Sequence, residues 1–97
     1  VATLTTALAS TPTHGTPEVD AKRKALNAWF RSERIFDGVA DFDAVTLDAT
    51  TGALMPAFKP GSSIGGPGDG LHPNRAGYAA MGGAVDLGWF NPNRPNH

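Results

Sequence analysis

An aspartate and a histidine three residues apart are the pair in this sequence best suited to chemistry. Asp69 and His72 lie in a glycine-rich stretch that reads Gly68-Asp69-Gly70-Leu71-His72-Pro73-Asn74. With this spacing the carboxylate can fold back onto the imidazole ring, which fixes one tautomer and leaves the other ring nitrogen able to accept a proton. We therefore predict that His72 is the general base of a hydrolytic triad and that Asp69 orients it.

The nucleophile of such a triad is not evident in the sequence. The serines are Ser10, Ser32, Ser62 and Ser63. None of them stands in a Gly-Asp-Ser block or in the G-x-S-x-G turn that exposes a catalytic serine. A triad completed by Ser62 or Ser63 is the alternative, because both precede Asp69 closely. Neither is predicted to lie on a strand-to-helix turn or near amides that would bind an oxyanion, so we expect the nucleophile to lie elsewhere.

Other kinds of site receive less support from the sequence. The possible zinc ligands are His14, Asp69, His72 and His97, and their spacing has no metal signature. The run at 22–24 is basic, but a net charge of −1 and a pI near 6.3 provide no footprint for nucleic acid. No apolar run is long enough to span a bilayer. We predict no cofactor, no metal, no nucleic-acid partner and no membrane span, and we interpret the basic run as a solvated helix face.

The pattern of the chain predicts alternating strands and helices. We expect a strand at 1–9, a helix at 17–33, a strand at 38–42, a long irregular region at 43–72 that carries the catalytic residues, a helix at 74–86 and a tail at 88–97. A strand, a helix of about 15 residues and a second strand form the βαβ pattern of a parallel sheet. With 97 residues, the chain is one small domain or part of a larger one.

The first predicted helix has clear start signals and an apolar stripe. Thr16 is a good N-cap and Pro17 is favoured at the first helical position. Val19, Leu26 and Trp29 recur at helical spacing and are expected to face the core. In the second helix, Asn74 is the predicted cap, and we expect Tyr78 to be a core residue rather than a catalytic one.

Taken together, these stretches resemble the C-terminal part of an SGNH/GDSL-type serine esterase. The likeness rests on Val1-Ala2-Thr3-Leu4-Thr5, on Asn27-Ala28-Trp29-Phe30-Arg31 with Phe36-Asp37-Gly38-Val39-Ala40-Asp41-Phe42-Asp43, and above all on Gly68-Asp69-Gly70-Leu71-His72-Pro73-Asn74 with Ala76-Gly77-Tyr78 and Met81. It implies the C-terminal part of a flavodoxin-like three-layer α/β/α sandwich with a parallel sheet. It also implies that Asp69 and His72 are the family's catalytic acid and base.

The same resemblance predicts the function and the partner. The family's Gly-Asp-Ser nucleophile block and its oxyanion-hole Gly and Asn match nothing in the chain. We therefore expect the chain to supply the base and its orienting acid to a hydrolase of carboxylic esters. The nucleophile would lie on an N-terminal segment or a partner chain of the same hydrolase, and the chain alone would be inactive. We expect a secreted protein, although the first residues are not a signal peptide. The alternative is a non-catalytic module that binds through Trp29, Trp89 and Phe90.

Overall fold

The computed structural model describes residues 1–62 and 64–91 of the chain. It contains three α-helices, α1 (Pro17–Ser32), α2 (Phe42–Thr46) and α3 (Arg75–Gly83), and two short 3₁₀ helices, η1 (Pro56–Phe58) and η2 (Leu87–Phe90). The α2 and α3 helices lie against each other, and η1 packs on α3. The irregular chain between η1 and α3 carries Asp69 and His72, so the packing of η1 and α3 positions the candidate site.

The start of α1 follows from its local sequence. The Thr16 side chain accepts a hydrogen bond from the backbone N–H of Val19 at 3.2 Å, and Pro17 occupies the first helical position. Both features satisfy or remove N–H groups that have no partner inside a helix. The helix ends at Ser32, one residue before the predicted end, because Glu33 is extended.

The predicted α/β sandwich with a parallel sheet is wrong. Of the described residues, 41% are helical and only 4% are in strand conformation, and they form no sheet. The extended residues pair only as two isolated bridges, a parallel one between Ala2 and Ala40 and an antiparallel one between Leu47 and Leu54. The apolar segments at 1–9 and 38–42, which looked like strands, therefore do not become neighbouring strands of a sheet.

Side chains occupy the places that a sheet would need. The backbone N–H of Leu4 donates to the Asn27 side-chain oxygen at 2.8 Å, and the Asn27 amide donates to the Leu4 carbonyl oxygen at 2.8 Å. At the end of the second predicted strand, the Asp41 carboxylate accepts a hydrogen bond from the backbone N–H of Ala44 and caps α2, so that a helix begins at Phe42 instead. Side chains thus bind backbone groups that would otherwise be available for pairing between strands.

The buried face of α1 is polar, which is the reverse of the prediction. Asp20, Arg23 and Asn27 are its buried residues. Val19 and Leu26, in contrast, are each 39% exposed. Arg23 is only 7% exposed, so the interpretation of the 22–24 run as a solvated face is wrong for its central residue. The apolar stripe of α1 is therefore left open on the described surface.

A network of ion pairs holds α1 to the segment around α2. Arg23 donates through Nε to Asp20 at 2.9 Å and through Nη1 to Asp43 at 2.7 Å. Arg31 binds both oxygens of Asp41, at 2.8 and 2.9 Å, and reaches Asp43 at 3.1 Å. Breaking a buried pair leaves an uncompensated charge, so this network couples the two segments strongly.

We expect the free energy of unfolding to fall between about pH 4 and pH 2 as Asp41 is protonated. The Arg31 hydrogen bonds lower the pKa of Asp41 from its ordinary value near 3.8 to about 2. A carboxyl whose pKa is lower in the folded state stabilises the protein above its unfolded pKa, and that stabilisation is lost as the pH falls through the folded pKa. Urea unfolding at a series of pH values measures the effect.

A matched pair of arginine variants provides the control for this acid dependence. Arg31→Ala removes the partner of Asp41. The free energy of unfolding of this variant should therefore fall less at acid pH, which makes the acid limb of its plot against pH flatter. Arg34→Ala removes an exposed arginine for which the described residues provide no ion pair, and should leave the limb unchanged. Equal acid limbs in the wild type and the Arg31 variant would contradict the assigned cause.

Candidate functional site

The Asp69 side chain closes the loop in which Asp69 lies. Asp69 Oδ1 accepts hydrogen bonds from the backbone N–H groups of Leu71 and His72, both at 2.9 Å. An aspartate that binds the amides two and three residues ahead forms a tight turn. Because both residues belong to the same turn, the position of the His72 backbone is fixed relative to the Asp69 carboxylate.

The two predicted site residues are in direct contact. His72 Nδ1 lies 2.7 Å from Asp69 Oδ2. The backbone N–H of His72, the backbone N–H of Leu71 and the His72 ring, in that order, lower the pKa of Asp69 to about 2. The carboxylate is therefore ionised at neutral pH and can only accept a hydrogen bond. It follows that Nδ1 of the neutral ring carries the proton and donates it to Asp69.

The remaining ring nitrogen of His72 faces the outside. The His72 side chain is 46% exposed, and Nε2 has no hydrogen-bond partner among residues 1–62 and 64–91. With Nδ1 protonated, Nε2 holds the free lone pair of the ring. Chemically, the arrangement is able to accept a proton at Nε2 from a hydroxyl group that approaches from solvent.

We call the contacting pair of Asp69 and His72 the dyad. The loop that precedes it is anchored on the chain near η1. Gly68 has a positive φ of 81°, and a Cβ at this position would collide with the carbonyl oxygen of Lys59. Only glycine combines this backbone conformation with so close an approach without strain. Gly68 therefore allows the chain that leads to Asp69 to pack directly against the Lys59 backbone.

The residues after the dyad are anchored by Asn74. Its Oδ1 accepts from the backbone N–H of Gly77 at 3.0 Å and caps α3, as the sequence predicts. Its Nδ2 donates to the carbonyl oxygens of Ala57 and Pro60 at 2.9 and 2.8 Å. One side chain thus ties the start of α3 to η1 and to the residues just beyond it. His72 lies between this anchor and the Asp69 turn, so hydrogen bonds hold the backbone on both sides of the imidazole.

No serine among the described residues hydrogen-bonds His72. The hydroxyls of Ser10 and Ser62 are buried without a hydrogen-bond partner, and the Ser32 hydroxyl donates to the Trp29 carbonyl oxygen at 3.2 Å. Ser63, one half of the alternative triad, lies outside the described residues. Within residues 1–62 and 64–91, the Asp69–His72 pair therefore has no serine hydroxyl bonded to it.

The remaining predictions concern metal ligands, a membrane span and Tyr78. The part of the chain that the structure describes has no group of three or more His, Cys, Asp or Glu side chains that could hold a metal, and no helix long and apolar enough to cross a membrane. His97 lies outside the described residues. Tyr78 is 47% exposed, so its prediction as a core residue is wrong.

A groove that Leu71 lines together with residues of α1 and of the first part of the chain was not predicted from the sequence. Its volume is about 350 Å³ and its wall is mainly apolar. The residues that line it are Leu4, Thr5, Ala7, His14, Val19, Arg23 and Leu71. We name it the Leu71 groove, because Leu71 belongs to the Asp69 turn and immediately precedes His72. Its residues come from three separate parts of the chain, and no spacing in the sequence connects them.

Comparisons with known proteins do not assign this chain to a family. No family model matches it, and no curated protein sequence matches it. The interpretation of the site therefore depends on its geometry together with the resemblance of its sequence motifs.

Proposed function

We propose that this chain supplies the general base and its orienting acid to a serine hydrolase of carboxylic esters. The observation that carries the proposal is the 2.7 Å contact between an ionised Asp69 and Nδ1 of a His72 whose Nε2 is open. An orienting carboxylate, an imidazole in one tautomer and an accessible Nε2 are the three features that a triad requires of its base.

The proposed chemistry starts when Nε2 of His72 removes the proton from a serine hydroxyl. The serine oxygen attacks the carbonyl carbon of the ester, and the negative charge passes to the carbonyl oxygen. When the C–O bond to the alcohol breaks, His72 gives its proton to the departing alcohol. Water then repeats the sequence on the acyl-serine, and the acid is released. Asp69 remains ionised throughout and stabilises the imidazolium that forms twice.

The nucleophile and the oxyanion-binding amides belong, in this proposal, to another polypeptide segment. Two observations support the assignment of these groups to another segment. No described serine is hydrogen-bonded to His72, and the buried hydroxyls of Ser10 and Ser62 have no hydrogen-bond partner. In addition, the apolar residues Val19 and Leu26 of α1 are exposed, although burial against another segment would stabilise them.

The alternative function, a non-catalytic module that binds through aromatic side chains, has weaker support. The ring of Trp29 packs against that of Phe36, with centroids 5.7 Å apart. Trp89 lies directly over Gly38, so it is also used inside the chain. Trp29 is still 45% exposed, and Phe90 is 73% exposed. Because two of the three named rings already contact other residues of the chain, the three together are a poor basis for a binding face.

A fluorophosphonate probe, which labels activated serines, tests the proposal. We expect no labelling of the 97-residue chain alone and no serine-dependent hydrolysis of p-nitrophenyl acetate. The product of the complete open reading frame should be labelled at a serine outside these residues. The label should be lost in the His72→Ala variant and retained in the His14→Ala variant. Labelling of Ser10, Ser62 or Ser63 in the isolated chain would show that the nucleophile had been assigned to the wrong segment.

A further inference from the structure

Two aspartates of the chain are each followed by glycine, Asp37 by Gly38 and Asp69 by Gly70. In such a pair the glycine backbone nitrogen can attack the side-chain carboxyl carbon of the aspartate, because glycine has no Cβ to hinder the approach. The new C–N bond forms as the carboxyl group loses a hydroxyl and the nitrogen loses its proton, so water leaves and a cyclic imide remains. Water then opens the imide, and isoaspartate results when the bond from the nitrogen to the main-chain carbonyl carbon breaks.

The hydrogen bonds of an aspartate carboxyl group decide how readily it reacts in this way. The carboxyl must be neutral to lose water, and its side chain must be able to turn toward the backbone nitrogen. A carboxylate that accepts several hydrogen bonds is held in the ionised form and in one position. The two aspartates differ in this respect.

Both oxygens of the Asp69 carboxylate are held by hydrogen bonds. Oδ1 accepts from the backbone N–H groups of Leu71 and His72 at 2.9 Å, and Oδ2 lies 2.7 Å from Nδ1 of His72. The backbone N–H of His72, then that of Leu71 and then the ring lower the pKa of Asp69 to about 2. The neutral carboxyl that loses water is therefore rarer than in an ordinary aspartate. Gly70 also packs against Ser10, since a Cβ at position 70 would lie 3.4 Å from the Ser10 Cα.

The Asp37 carboxylate has no such restraint. Asp37 is exposed and makes no hydrogen bond or ion pair with any of residues 1–62 and 64–91. The backbone N–H of Gly38, which carries the attacking nitrogen, has no backbone partner within the same ranges. The Gly38 carbonyl oxygen accepts from the Val1 nitrogen at 3.1 Å, and Trp89 packs over the glycine. Neither contact holds the Asp37 side chain.

We propose that Asp37 is the site at which this protein forms isoaspartate spontaneously, and that the hydrogen bonds of the Asp69 turn protect the dyad from the same reaction. Isoaspartate at position 37 adds one methylene to the main chain, just before the bridge between Ala2 and Ala40. At position 69 the same change would move the carboxylate out of the turn that holds His72. The contacts that orient the ring thus also preserve the turn, whatever reaction the dyad serves.

Storage of the folded chain for several weeks near neutral pH and at body temperature tests the proposal. After proteolysis into peptides that contain only one of the two sites, electron-transfer fragmentation distinguishes isoaspartate from aspartate. We expect at least about tenfold more isoaspartate at position 37 than at position 69, because each unit by which a pKa falls makes the neutral carboxyl about tenfold rarer. Equal amounts at the two positions, or more at position 69, would overturn the proposal.

The chain unfolded in guanidinium chloride is the matched control, since both sites keep the Asp-Gly sequence and lose their hydrogen bonds. There the two positions should form isoaspartate at similar rates. In the folded chain, Asp37→Glu should remove the signal at position 37, because the larger ring that glutamate must close forms more slowly, and should leave position 69 unchanged. A folded wild-type chain without isoaspartate at position 37, under conditions in which the unfolded chain forms it, would also overturn the proposal.

Discussion

Replacing His72 by alanine is expected to lower kcat for ester hydrolysis by the proposed hydrolase by roughly 10²–10⁴-fold. The reason is that Nε2 is the only base that the dyad offers to the attacking hydroxyl and to the departing alcohol. Initial-rate kinetics on p-nitrophenyl esters measure the effect. KM should change little, because the ring is assigned to proton transfer rather than to binding of the substrate.

Asp69→Asn distinguishes orientation from proton transfer. The amide can donate to the ring, so the imidazole can settle in the tautomer with its proton on Nε2, which is unable to act as a base. We expect a loss approaching that of His72→Ala, with the chain still folded. Ser10→Ala and Ser62→Ala are the controls and should retain wild-type kcat. A His72→Ala enzyme with full activity would contradict the catalytic role and favour the binding-module alternative.

Replacing Arg23 by methionine is expected to lower the free energy of unfolding by about 3–5 kcal/mol. Arg23 is 7% exposed and its guanidinium neutralises Asp20 and Asp43. Methionine keeps most of the volume but leaves the buried Asp20 with only Lys24, at 3.3 Å, and the buried Asp43 with only Arg31, at 3.1 Å, as a cationic partner among the described residues. Because whole domains are stable by only about 5–15 kcal/mol, a loss of this size should be visible as a large fall in the urea midpoint.

Lys22→Met is the control for this variant, since Lys22 lies on the exposed side of the same helix. Surface substitutions of this kind usually change stability by less than about 0.5 kcal/mol. If Arg23→Met cost no more than Lys22→Met, the ion-pair network would not be what holds α1 to the α2 segment. A double variant that also replaces Asp43 by leucine should recover part of the loss, because one of the two buried carboxylates that lost Arg23 is then removed.

The features that the sequence predicted correctly are local ones. Thr16 and Asn74 cap α1 and α3 through amides three residues ahead, so the information lies within a single turn. The Asp69–His72 contact is of the same kind, since it closes within four residues. For that reason the geometry of the dyad could be foreseen, even though its catalytic role stays a prediction.

The features that were predicted wrongly depend on distant partners. A strand forms only where another strand pairs with it, and strand propensity is strongly context-dependent. Between the segments 1–9 and 38–42, the observed pairing is limited to one bridge, between Ala2 and Ala40. Elsewhere Asn27 and the Asp41 cap take the hydrogen bonds that a ladder would need.

The inverted face of α1 has the same origin. Periodicity indicated Val19, Leu26 and Trp29 as the core side, because apolar residues usually face inward. Arg23 is buried instead, since it meets Asp43 from a segment twenty residues further along the chain. A pairing over that distance cannot be recognised from helical spacing. The Leu71 groove is assembled in the same way from separate segments, and the sequence carried no signal for it.

The most direct test of the central claim is the tautomer of the His72 ring, measured by long-range ¹H–¹⁵N NMR on the neutral side chain. The structure predicts a protonated Nδ1, donating to Asp69, and an unprotonated Nε2, and Asp69→Asn should reverse this pattern. A wild-type ring with its proton on Nε2 would contradict the account, because His72 could not then take a proton from any hydroxyl.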